Sequence, residues 1–198
     1  MRQQIRLGIV HVGRALREPE DFAERWRTGD VHYNVWVWMS LLATAILGTT
    51  TYGMTMGLLG GAGAVLAKGV ICTFAAGMAW TLALPALYVL NSLSGSKLSI
   101  STTVLGALVT ASWGGLAMMA SIPINWFFTT AIPHPTFVLV VNLVVFAGVG
   151  VAMIDVFKRV MRRLEPDRGD VYPAWWLCLV AAIGCELFFH FGLFTFGG

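Results

Sequence analysis

The sequence predicts an all-α polytopic membrane protein, a bundle of five transmembrane helices behind short cytoplasmic amphipathic N-terminal helices. Five apolar runs, 34–56, 69–90, 102–122, 136–157 and 174–196, each have the ~20 residues a helix needs to cross ~30 Å of hydrocarbon. Hydrophobic residues make up 57% of the chain and charged ones 12%, with a mean hydropathy of +0.74, which lies outside the range of ordinary soluble domains. Twelve of the 13 Lys and Arg residues fall in segments that alternate crossings leave on one side, and Lys68 alone falls on the other. By the positive-inside rule that side is the cytoplasm, which predicts an inner-membrane protein with its N-terminus inside and its C-terminus outside.

Residues 1–33 are expected to form a cytoplasmic amphipathic segment of two helices. In the first, Ile5, Ile9, Val12 and Leu16 recur at helical spacing, and Arg2, Arg6, Arg14 and Arg17 are placed to reach lipid headgroups. In the second, Pro19 suits a first helical position, Glu20 and Asp21 the positive start, Arg25 and Arg27 the negative end, and Gly29 a left-handed stop. Phe22 and Trp26, one turn apart, form its apolar edge and are the candidates for docking a partner or the underside of the bundle. No short basic leader with a cleavage site is seen, so the N-terminus is expected to be retained.

Residues 34–198 make up the membrane domain. Tyr33, Trp36 and Trp38 open the first run, Tyr88 closes the second, and Tyr172, Trp175 and Trp176 open the fifth, all as aromatic anchors at the inner interface. The glycine-rich stretch 57–63 predicts a flexible outer turn, and 91–97 a polar inner turn. Small residues at Gly69, Thr73 and Gly77 in the second run, and at Gly106, Thr110 and Gly114 in the third, predict close helix packing. Pro85 predicts a bend. Between runs three and four, Pro123, Pro133 and Pro135 predict a semi-rigid outer cap, with Trp126, Phe127 and Phe128 at the outer interface. Arg162 and Arg163, after the fourth run, are further headgroup ligands, and Asp155 is close enough to Lys158 or Arg159 to be neutralised.

Glu186 lies ~18 Å into the fifth run at ~1.5 Å per residue, near mid-bilayer, with His190 one turn further on. Depth alone pairs them with Asn142 and Trp113 in an intramembrane polar cluster. Such a cluster has three readings: an interhelical hydrogen bond, a proton or ion pathway, or a pigment or haem ligated axially by His190. His11, His32 and His134 form no metal spacing with it, and Cys72, Cys178 and Cys185 read as packing residues. Neither a catalytic motif nor a nucleic-acid motif is present, so no enzyme activity is expected, and no cofactor or metal apart from bound lipid.

The Pro19-Glu20-Asp21-Phe22 start, the Tyr52-Gly53 end of the first run with its following glycines, and Leu84-Pro85-Ala86-Leu87-Tyr88-Val89-Leu90-Asn91 before a Ser/Gly turn resemble bacterial relatives of the Yip-domain (Ypt-interacting) membrane proteins. The resemblance covers the chain to about Val160 and implies a non-enzymatic role, with no site residues carried over. The expected function is a non-catalytic scaffold or accessory subunit binding lipid and other integral membrane subunits, or copies of itself. The alternatives are a small proton- or ion-coupled permeation module using Glu186 and His190, or a pigment- or haem-binding subunit.

Overall fold

A computed structural model describes residues 2–30, 33–168 and 173–195, with side chains from residue 10 onward. The helices run α1 (Arg2–Arg17), α2 (Pro19–Thr28), α3 (Val35–Met56), α4 (Gly61–Leu93), α5 (Ile100–Ala120), α6 (Ile122–Ala131), α7 (Pro135–Leu164) and α8 (Trp176–His190), with 3-10 turns at Leu58–Gly60 and Pro166–Arg168. No strand occurs among the described residues. Four stretches are long and apolar enough to cross a membrane: Val35–Met56, Leu58–Leu93, Ile100–Ala131 and Pro135–Leu164. The outward surface suits hydrocarbon, since it presents large apolar side chains such as Leu47, Leu66, Val70, Phe74, Val144 and Val151.

The expected fifth run is the exception in length. Helix α8 has 15 residues, about 22 Å at ~1.5 Å per residue, and then turns over Phe191–Phe194 with Gly192 at a left-handed φ of 68°. The stop is made by Gly192, whose N–H and that of Leu193 donate back to the Phe189 and Phe188 carbonyls at 3.0 and 2.8 Å. The Lys68 ammonium then holds the turn by donating to the carbonyls of Gly192, Leu193 and Thr195 at 2.6, 2.7 and 2.7 Å.

Other boundaries also moved. Stretch 57–63 is a tight reversal rather than a flexible turn. A Cβ on Gly57 would fall 2.5 Å from the Ala64 carbonyl oxygen, and Gly61 takes φ 78° to start α4 at once. That makes α4 33 residues long, and it continues through Pro85. The predicted outer cap contains a helix, α6, with Pro123 in its first turn and Trp126 and Phe127 exposed. Helix α7 runs past Phe157 to Leu164 because Val160, Met161 and Leu164 continue its buried stripe between the basic residues.

The core is built on backbone contact. Helix α3 packs most extensively on α5, and the two cross where Gly48 meets Gly115. A Cβ on Gly48 would overlap the Gly115 carbonyl, and one on Gly115 would lie 2.8 Å from Ala45 Cα and 2.9 Å from the Thr44 carbonyl oxygen. Helix α4 approaches α3 in the same way at Gly53 and Gly69, beside Thr50 and Thr73, whose hydroxyls are 2.6 Å apart. Of the small residues expected to pack, Gly69 and Gly114 are in tight contact, whereas a Cβ on Gly77 meets nothing within 4 Å. Gly77 instead borders a hollow of about 230 Å³ between α3, α4 and α5.

At one end, α1 and α2 close under the bundle. Helix α2 begins at Pro19 and stops at Gly29 with φ 75°, as its residues predict. Tyr33 stacks on Phe22 at 4.0 Å and on Trp26 at 5.6 Å, meets His11 edge-on at 5.7 Å, and donates its hydroxyl to the Phe22 carbonyl at 2.9 Å. Trp26 Nε1 donates to Thr102 Oγ1 at 3.0 Å, tying α2 to α5. Ion pairs Glu20–Arg159 at 4.0 Å and Glu24–Arg163 at 3.5 Å join α2 to α7. These pairs are half-exposed and contribute ~0–1 kcal/mol each, so the buried aromatic stack holds the segment.

Two outcomes follow. Gly115→Ala forces α3 and α5 apart and should cost about 1–3 kcal/mol in denaturant unfolding in detergent, while Gly77→Ala should cost nothing or stabilise slightly. Burial pushes the Tyr33 phenol from an ordinary value near 10 up to about 12. A raised folded-state value means that docking of α1 and α2 is at full strength below pH 10 and weakens as pH rises from 10 toward 12. Protease sensitivity of the N-terminal segment should increase across that window, and Tyr33→Phe should flatten the pH dependence.

Candidate functional site

The site begins with the register of α8. It rests on α4 and barely touches α7. A Cβ on Gly184 would lie 3.8 Å from the Ala79 Cβ, the rings of Phe191 and Phe74 are 5.8 Å apart, and Lys68 holds the turn after His190, so the two helices run antiparallel. Glu186 therefore lies level with Gly77, at the midpoint of the 33-residue α4.

Its direction decides the rest. Helix α8 buries Trp176, Leu177, Val180, Gly184 and Phe188. At ~100° per residue, Glu186 projects almost opposite Gly184, and both Glu186 and His190 are exposed. Neither side chain has a hydrogen bond or ion pair among the described residues, and the His190 ring meets that of Phe191 edge-on at 5.6 Å. The predicted intramembrane cluster is thus not assembled within the chain: shared depth placed its members on different faces. Trp113 is half-buried and packs against the core between the helices.

Asn142 is buried, but with other partners. Tyr52 donates its hydroxyl to Asn142 Oδ1 at 2.8 Å, and Asn142 Nδ2 donates to the Val138 carbonyl at 2.8 Å. From Tyr52 the network continues: Thr55 donates to the Tyr52 carbonyl at 2.6 Å, Asn125 Nδ2 donates to Thr55 Oγ1 at 2.6 Å, and Thr129 donates to Asn125 Oδ1 at 3.4 Å. This polar seam joins α3, α6 and α7. Sequence reasoning missed it because Asn125 and Thr129 were assigned to a cap, yet their i, i+4 spacing was visible.

A second network locks the other end. Glu165 accepts from the Ser96 hydroxyl at 2.8 Å and the Lys97 backbone N–H at 2.9 Å, and pairs with Arg168 at 3.0 Å. Arg168 Nη1 also donates to Asn91 Oδ1 at 2.6 Å. These groups join the end of α4, the loop after it and the end of α7. Asp155 accepts from Arg159 Nε at 2.9 Å, as its position predicts.

The predicted headgroup residues divide. Arg17, Arg162 and Arg163 are exposed and Arg14 is half-buried, and Arg163 pairs with Glu24. The side chains of Arg2 and Arg6 lie outside the described residues, as do Tyr172 and His32. Phe22 is 1% exposed and Trp26 is bonded to Thr102, so these two dock α2 onto the chain's own helices rather than offering a free surface. Cys72 is buried, and Cys178 and Cys185 are exposed beside an apolar groove of about 420 Å³ between α4, α7 and α8. No three His, Cys, Asp or Glu groups converge as metal ligands among the described residues.

Asn142→Ala strands the buried Tyr52 hydroxyl and should cost about 1–3 kcal/mol of stability in detergent unfolding. A double-mutant cycle with Tyr52→Phe should show a coupling of about 0.6–1.7 kcal/mol, and additivity would mean that the hydrogen bond carries nothing. No family model, curated protein or solved structure matches this chain.

Proposed function

We propose that the protein is a non-catalytic scaffold or accessory subunit of the inner membrane that crosses it five times, N-terminus in the cytoplasm, and holds other membrane segments against the outward face of α8. The observation that carries this reading is Glu186, an acid on the outward side of an apolar helix, level with the middle of α4 and without a partner among the described residues. A charged side chain facing hydrocarbon at that depth costs ~2.5–3.5 kcal/mol or more, which a protein partner relieves by supplying a hydrogen-bonding group. The fifth crossing is supported by the antiparallel course of 173–195 along α4. The orientation is supported by the basic residues at the inner ends of the spans, with exposed Arg17 and Arg162 placed for anionic headgroups. The Yip-domain resemblance agrees with a role without catalysis.

The permeation alternative needs Glu186 to line a path inside the bundle, and its outward direction favours docking instead. Extracted from native membranes in mild detergent, the chain is expected in an assembly larger than one chain, and Glu186→Leu is expected to release it. Recovery of wild type as a single chain sinks the scaffold. Proton- or ion-driven flux in reconstituted vesicles, abolished by Glu186→Gln, would establish the permeation module in its place.

A further inference from the structure

We infer that the occupant of the α8 face is a second copy of this chain, packed α8 against α8 about a twofold axis along the membrane normal. The inference rests on the docking reading of α8 and adds the partner's identity. Two independent observations carry it. First, the exposed residues Trp175, Leu179, Ala182, Glu186 and Phe189 are spaced 4, 3, 4 and 3 apart, the repeat with which two parallel helices interlock. Ala182 lies at the centre of that seam, where a small side chain lets two helix axes approach. The rest of the face is bulky, with Trp175 58% and Phe189 75% exposed, so the seam has knobs on either side of a hollow.

Second, the polar chemistry of the face complements itself. Glu186 and His190 are one turn apart and both exposed. Two copies in the same membrane orientation must run parallel, which puts each Glu186 at the depth of its counterpart and within one turn of the counterpart's His190. A carboxyl group is both donor and acceptor when protonated, and imidazole pairs with it in either charge state, so each copy supplies what the other lacks. One polar residue in an otherwise apolar seam also fixes register, because sliding by a turn would set the Glu186 of one copy level with Ala182 of the other. Lipid supplies no such group at mid-depth, and an unrelated helix would need its own donor at that height.

The test uses the full chain in its native membrane. In a background with Cys72, Cys178 and Cys185 replaced by Ser, Ala182→Cys should form an intermolecular disulfide on mild oxidation, and Leu47→Cys, 58% exposed on α3, should not. Native mass spectrometry of the unaltered chain should show a dimer, retained by Glu186→Gln and weakened about three- to tenfold by Glu186→Leu. Because it needs no cysteine substitution, this arm stands even where the Ser background fails to fold. A dimer that Glu186→Leu leaves at full strength, or crosslinks at Leu47→Cys but not at Ala182→Cys, overturns the α8 twofold. An assembly with a different chain and no self-crosslink overturns the second copy while leaving the scaffold standing, and a monomer in both arms overturns both.

Discussion

The bundle depends on one close crossing. Where Gly48 of α3 meets Gly115 of α5, no side chain separates the two backbones, and this is the most extensive helix pairing in the bundle. In hydrocarbon, helices gain nothing by hiding apolar surface from one another, so association rests on van der Waals contact and hydrogen bonds. Backbone proximity maximises the first and permits the second. With α3 and α5 so close, α4 seats against α3 at Gly53 and Gly69, the Thr50 and Thr73 hydroxyls meet, and Tyr52 on α3 comes within reach of Asn142 on α7.

The long helices were legible because hydropathy reports length and depth directly. Runs 34–56 and 102–122 differ from α3 and α5 by only one or two residues at each end. Depth, however, says nothing about direction around a helix axis, and α8 is apolar on nearly every side, so no periodicity in its sequence marks which face is buried. That is why His190 and Asn142 shared a height in the sequence but not a site in the structure. The glycines of 57–63 misled for a related reason: glycine marks both a flexible turn and a close approach, and only the neighbouring backbone at Ala64 and Val65 tells them apart. Helix α2 was fully readable because its Pro, acidic, basic and Gly signals are local.

The end of α8 combines a left-handed Gly192 with Lys68. The glycine turns the chain after His190, and one ammonium gathers three carbonyls of that turn and clips it to α4. Counted from sequence, Lys68 was the lone exception to the charge asymmetry. In the structure its charge is taken up by the carbonyls of the turn after α8.

Most of the buried polar side chains described are paired, with the Ser112 hydroxyl and the Trp176 indole N–H as exceptions. Tyr52 is matched to Asn142, Asn125 to Thr55, Glu165 to Arg168, Trp26 to Thr102, and Asp155 to Arg159. Three of these pairings join separate helices, whereas Glu165–Arg168 spans only three residues and Asp155–Arg159 lies within α7. Against that pattern, Glu186 is an exception only if the single chain is the whole structure. The cost of leaving a polar group unpaired is greater for an ionised carboxyl exposed to hydrocarbon than for the small buried Ser112 hydroxyl, which has no hydrogen-bond partner among the described residues. On the docking reading proposed for α8, the group that relieves Glu186 is a hydrogen-bonding group at the level of Gly77.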